Sequence, residues 1–115
     1  MLARPHRAAR EEVRATIQGG RPIQGVFLSI KYRGLGTGIP KAAIVVSAKV
    51  AKLAVGRNRI KRRLRAILTP ILPQLRPGLI IVVFAKKEAR AATFAELKDD
   101  LNDLLSRARI IVSNS

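Results

Sequence analysis

Apolar and polar residues alternate from Gln24 to Tyr32, with Val26, Leu28, Ile30 and Tyr32 on one side and Phe27, Ser29 and Lys31 on the other. This two-residue period predicts one half-buried strand over 24–32. Upstream, residues 5–18 are good helix formers, with Val13 and Ile17 one turn apart on a single face. The GGRP run at 19–22 stops them, so a short N-terminal helix is expected. Downstream, RGLGTGIP at 33–40 predicts a loop, because three glycines and a proline break either regular structure. KAAIVVSAK (41–49) and GLIIVVFAK (78–86) predict two further strands, short and rich in β-branched residues. Their near-continuous apolar character predicts that both are central, and parallel to each other across the helix between them.

That intervening helix carries Leu53, Ile60, Leu64, Ile67, Leu68 and Ile71 on one stripe at the helical period. Asn58, Arg59, Arg62 and Arg65 project from the opposite side, and Pro70 and Pro73 mark its end. In the C-terminal segment Thr93 and Glu96 have capping-box spacing. Phe94, Leu97, Leu101, Leu104, Leu105 and Ala108 then form a core-facing stripe, with Asp99, Asp100 and Asp103 as its polar face. The order predicts an α/β sandwich with helices packed on a sheet.

Length adds that 115 residues suffice for a single domain, taken as 1–115, without room for a second core. There is no cysteine, so neither disulfides nor thiolate-bound metals enter. No apolar run approaches the roughly 20 residues of a membrane span. The basic start MLARPHRAAR leads into REEVRA rather than an apolar signal core, so a cytoplasmic location is expected, with no membrane partner.

Charge changes the picture most. The chain has 23 Lys and Arg against 7 Asp and Glu, a net +16, and no carboxylate side chain lies between Glu12 and Glu88. The 16 basic residues from Arg14 to Lys87 therefore lack acidic neighbours in sequence. Such a field attracts a polyanion with salt-dependent affinity, and nucleic acid is the leading partner. GRNRIKRRLR at 56–65 sets Arg57, Asn58, Arg59, Lys61, Arg62, Arg63 and Arg65 on a helix whose other face is committed to the core. Arginine offers forked donors to phosphate oxygens and stacks on unpaired bases. Lys49 and Lys52 precede this helix and extend the basic surface across the strand-to-helix turn. A solvated face kept for solubility is the bland alternative, but solubility is served by mixed charges and this surface has one sign.

Catalytic groups are scarce. Hydrolysis by protein side chains needs a general base, a nucleophile or a metal cage. The only histidine, His6, has no ligand partner at metal spacing and is expected to be an exposed residue at the helix start. RGLGTG lacks the spacing of a phosphate-binding P-loop. If the chain serves an enzyme, another component breaks the bond.

KVAKLAVGRNRIKRRLR at 49–65 closely resembles the signature of the bacterial ribonuclease P protein family. The spacing RNxxKRxxR is carried by Arg57, Asn58, Lys61, Arg62 and Arg65, flanked by IVVSAK, PGLIIVVFAKK and a closing FAELKDDLNDLL helix. The resemblance implies an α-β-β-β-α-β-α fold with a central mixed sheet and a left-handed crossover between parallel strands. It further implies a non-catalytic protein subunit in a 1:1 complex with a catalytic RNA, which cleaves the 5′ leader from precursor tRNA with magnesium ions held mainly by RNA and substrate. By the same resemblance Lys52, Arg57, Asn58, Arg59, Lys61, Arg62, Arg63 and Arg65 face RNA, while Val13, Ile17, Ser47 and Lys49 border a cleft for the leader. The family usually carries aromatic residues where this chain has Val13 and Ile17. Ala48 stands for a usual lysine, Ala66 for a usual glutamate, and Leu53 looks like an insertion. The competing reading is a ribosomal or other structural RNA-binding protein with no part in turnover.

Overall fold

The computed structural model describes residues 6–34 and 38–110. Within them the chain runs α1 (Arg10–Gly19), β1 (Arg21–Gln24), β2 (Leu28–Gly34), β3 (Lys41–Val45), α2 (Ala54–Leu68), β4 (Leu79–Ala85) and α3 (Phe94–Ala108). Short 3-10 turns occupy Leu72–Gln74 and Lys87–Arg90. The element order matches the resemblance. Residues 35–37 of the expected loop, and residue 5 of the expected first helix, lie outside the described residues.

The four strands form one mixed sheet in the order β1-β2-β4-β3, with β3 and β4 parallel and the other pairs antiparallel. Register sorts the side chains onto two faces. Leu79, Ile81 and Val83 of β4 share a face with Leu28 and Ile30 of β2 and Ala42 of β3, and join Leu64, Ile67, Leu97, Leu101 and Leu104 in the main core. Each large side chain buried there contributes about 1.5–3 kcal/mol. Ile80 and Val82 are buried on the opposite face, where α1 crosses β4 and β2. The helices thus sandwich the sheet, with α2 and α3 on one side and α1 on the other.

Only β4 is central. The other apolar run, β3, forms an edge, contrary to the expectation that both would be interior. Apolarity reports what covers a strand's faces, not how many strands flank it. The outer edge of β3 is covered by the N-terminal segment: Arg7 bridges Ala42 in parallel, the Ala8 amide donates to the Ala42 carbonyl at 3.0 Å, and His6 Nδ1 donates to the Pro40 carbonyl at 2.8 Å. His6 is therefore half-buried and occupied, not an exposed helix-start residue.

The strand expected over 24–32 is instead a hairpin that reverses at residues 25–27, leaving Val26 exposed in the turn. Asp100, expected on the polar face of α3, is buried and causes this reversal. Its Oδ1 accepts from the Val26 amide at 3.0 Å, and its Oδ2 accepts from the amides of Phe27 and Leu28 at 3.0 and 2.9 Å. Gly25 is required by the same approach, because a Cβ there would stand 2.6 Å from Oδ2. Lys86 Nζ and Arg107 complete the anchorage by donating to the Gly25 and Gln24 carbonyls.

Helix α3 begins with the expected reciprocal capping box, Thr93 Oγ1 accepting from the Glu96 amide and the Glu96 carboxylate accepting from the Thr93 amide. Phe94 departs from the predicted stripe: it is the first residue of α3 and is exposed. Leu53 departs from the α2 stripe for a similar reason: it is the N-cap, extended in backbone and 75% exposed.

Candidate nucleic-acid interface

Helix α2 turns 100° per residue, so burial of Ile60, Leu64, Ile67 and Leu68 fixes the outward direction of the rest. Asn58, Arg59 and Arg62 are exposed, and Lys61 and Arg65 are half-exposed on the flanks. None of these five side chains has a hydrogen bond or ion pair within the described residues. The two ion pairs found there, Lys41–Glu12 and Arg107–Asp103, both lie elsewhere. The cationic face predicted from sequence is therefore present and unneutralised.

Two residues of the predicted set have intramolecular work. Arg57 is half-buried, and its Nη1 donates to the carbonyls of Ala51 and Lys52 at 2.9 and 2.7 Å, tying the crossover segment to the first turn of α2. Arg63 Nη1 donates to the Ala92 carbonyl at 3.2 Å, joining α2 to the turn before α3. Their spacing in sequence matched that of their neighbours and gave no sign of this difference.

At the N-terminal end of α2 a groove of about 690 Å³ is lined by Lys49, Lys52, Leu53, Val55, Arg59 and Arg90. The helix start contributes too, because Leu53 supplies no side-chain cap and the first turn holds no acid. Unpaired amides and the positive end of the helix dipole therefore point toward a cationic groove with apolar walls. Arg90 was missed by sequence reasoning; it reaches the groove from the 3-10 turn after β4, far along the chain. Lys49, expected beside the leader cleft, lines this groove.

The other face of the sheet carries the remaining predicted residues. Val13 and Ile17 are half-buried on α1. Two sheet lysines hold that helix in place: Lys41 Nζ pairs with Glu12 at 3.2 Å, and Lys31 Nζ donates to the Ile17 carbonyl at 2.7 Å, where a helix C-terminus favours a cation. Glu12 also accepts from the Ala9 amide at 2.8 Å. That hydrogen bond, then Lys41 and Arg33, hold its carboxyl below the ordinary range despite partial burial. Ser29, Val45 and Phe84 share this face and are half-exposed, and Ser47 follows in the turn beyond β3. Phe84 is the aromatic residue the register puts on this face; Phe27 and Tyr32 pack toward the main core. Continuous apolarity in β4 hid the parity that would have singled it out.

Acidic side chains do not converge. Asp100 is committed to three amides, Asp103 to Arg107, Glu96 to its cap and Glu12 to Lys41. Among the described residues no three His, Asp or Glu side chains are grouped as a metal site, and no helix is long and apolar enough to cross a membrane.

A family model described as Ribonuclease P matches residues 5–109. The chain is 41% identical over 116 residues to the ribonuclease P protein component of Pseudanabaena sp. (strain PCC 6903), spanning 99% of this chain and 100% of that one. Its fold superposes on the RNase P protein from Thermotoga maritima with a TM-score of 0.77 at 25% identity, over 88% of this chain and 96% of that one. The RNase P protein of Staphylococcus aureus gives 0.81 at 20% identity, over 92% and 97%.

Proposed function

This chain belongs to the ribonuclease P protein family, and from that membership we propose that it grips the catalytic RNA with the outer face of α2 and guides the 5′ leader of precursor tRNA across the sheet beneath α1. It is a protein component of the ribonuclease P ribonucleoprotein, and its relatives do not favour the ribosomal alternative. The observation that carries the RNA-binding assignment is the unpartnered set Asn58, Arg59, Lys61, Arg62 and Arg65, continuous with the groove of Lys49, Lys52 and Arg90.

In this proposal Arg59, Arg62 and Arg65 hold phosphates through forked donors, while Lys61 supplies a point charge. Arg57 and Arg63 are positioning residues: they fix the crossover and the turn before α3 so that the neighbouring cations share one surface. In the cleft, Phe84 offers a ring on which a leader base stacks, with Val13 and Ile17 as apolar walls and Ser47 at the rim. The protein's role is to bind, orient and screen phosphate repulsion, one copy per RNA. Bond breaking is assigned to the RNA, with magnesium held by RNA and substrate. The chain's own residues do not fit a magnesium cage, because its carboxylates are dispersed and mostly committed to structure.

The test is cleavage of a 5′-extended precursor tRNA at low magnesium by a bacterial ribonuclease P RNA, with and without the chain. Wild-type protein is expected to restore cutting at the mature 5′ end, and the Arg62→Ala/Arg65→Ala variant to need more protein, with the salt slope of binding reduced by about 2. Stimulation by that variant at wild-type concentration and salt dependence would refute the α2 assignment.

A further inference from the structure

We infer that a groove built by Arg21, Arg76 and Arg109 around Tyr32, at the opposite end of the sheet from the crossover groove, is a second site for RNA phosphate, taking an unpaired nucleotide. The inference rests on the family reading only for the identity of the polyanion.

Three distant parts of the chain meet there. Arg21 opens β1 and is the register partner of Tyr32 on β2. Arg76 precedes β4, and its amide donates to the Ile110 carbonyl at 2.9 Å. Arg109 ends α3. Together with Leu79 and Ile110 they line about 570 Å³, a volume that suits a small-molecule-sized group such as one nucleotide.

The arginines have no structural employment. All three are exposed, and none of their side chains has a hydrogen bond or ion pair among the described residues. No carboxylate side chain lines the groove. Three cations lining one groove without a counter-charge repel one another.

Arg109 supplies an independent observation. It sits at φ 57°, ψ 40°, the left-handed conformation, and is the sole non-glycine residue with positive φ among those described. Glycine suits this helix end best, and a β-carbon there is strained. Arg109's backbone amide closes the helix on the Leu105 and Ser106 carbonyls, which any residue provides, while its guanidinium bonds to neither. A strained position keeping a long, free cation points to a ligand outside the fold.

The two basic grooves lie at opposite ends of the sheet, one just beyond the end of β3 and the other at the start of β4. Phosphates engage the arginines, and a base meets the apolar wall of Tyr32 and Leu79.

The experiment measures binding of the full chain to ribonuclease P RNA and, separately, to precursor tRNA over a range of salt. Arg21→Ala/Arg76→Ala/Arg109→Ala is compared with Arg10→Ala/Lys87→Ala/Lys98→Ala, which removes the same charge from exposed positions elsewhere. The groove variant is expected to lose about 10-fold or more in affinity for at least one RNA, with the salt slope lower by about 3, and the RNA affected identifies the source of the phosphates. The control triple is expected to change affinity less than about 3-fold. Equal effects of the two triples on both RNAs overturn the inference. Arg109→Gly provides a readout opposite in sign to damage: its melting temperature should rise while RNA affinity falls, and unchanged affinity removes Arg109 from the site. Arg62→Ala/Arg65→Ala runs in parallel. Loss there beside an unaffected groove variant refutes this inference alone, whereas wild-type protein that binds neither RNA refutes the family-based reading.

Discussion

Asp100→Ala removes a carboxylate that organises the β1–β2 reversal from 72–74 residues away in sequence. Three charge-assisted hydrogen bonds are lost, at 3.0, 3.0 and 2.9 Å. The cost differs among the three amides. Val26 is exposed, and its amide regains water; the bond to Leu28 is buried, so that amide is left without a partner at about 1–3 kcal/mol. Adding partial losses at Val26 and Phe27 gives about 3–5 kcal/mol. For a chain of this size that corresponds to a melting temperature lower by roughly 10–20 °C. Asp100→Asn retains the oxygen facing Phe27 and Leu28 while setting an NH2 group against Val26, and should cost about half as much. Asp99→Asn, one position away and exposed, should stay within about 0.5 kcal/mol. Urea denaturation followed by far-ultraviolet circular dichroism gives the three values, and hydrogen exchange at residues 26–28 localises the effect. An Asp100→Ala midpoint within about 0.5 kcal/mol of wild type, at equal m, would refute the assignment of the turn to this carboxylate.

Three further outcomes are expected. Glu12 has a folded pKa below its ordinary value of 4.5, so its contribution is present above that value and is lost as pH falls through the lowered one. Glu12→Gln should therefore destabilise the protein near neutrality, with the difference from wild type shrinking as pH falls below 4.5; a constant difference on acidification would exclude the linkage. Arg57→Ala should cost about 1–2 kcal/mol in stability and weaken RNA binding, and Arg57→Lys, which keeps the charge but not the fork, should restore neither fully. Full recovery of affinity by lysine in the same assays would show that charge, not positioning, is what Arg57 supplies. Val13→Phe should tighten binding of a single-stranded leader by about 1 kcal/mol through stacking, measured by fluorescence titration; no gain places Val13 outside the cleft.

Much of the architecture is legible along the chain because its signals are local. The period of α2 and the capping box of Thr93 and Glu96 follow from faces and caps that one segment declares by itself, and the strand-helix-strand order along the chain suggests the parallel relation of β3 and β4. The uncompensated charge between Glu12 and Glu88 is equally a property of the sequence, and it pointed to a polyanion before any geometry was known. Other features depend on partners that no window of sequence contains. Alternation over 24–32 describes a strand correctly from Leu28 onward, but the break at Gly25 to Phe27 is made by Asp100 on α3. The apolar runs of β3 and β4 look alike, yet only tertiary packing made one central and left the other an edge covered by residues 6–8. Within the basic helix, sequence treats Arg57 and Arg63 as equals of Arg62; carbonyls brought near by the fold turn the first two inward to structural hydrogen bonds. Periodicity records which way a side chain faces, whereas a hydrogen-bond partner or a neighbouring strand is set by where distant segments come to rest, and that only the tertiary structure decides.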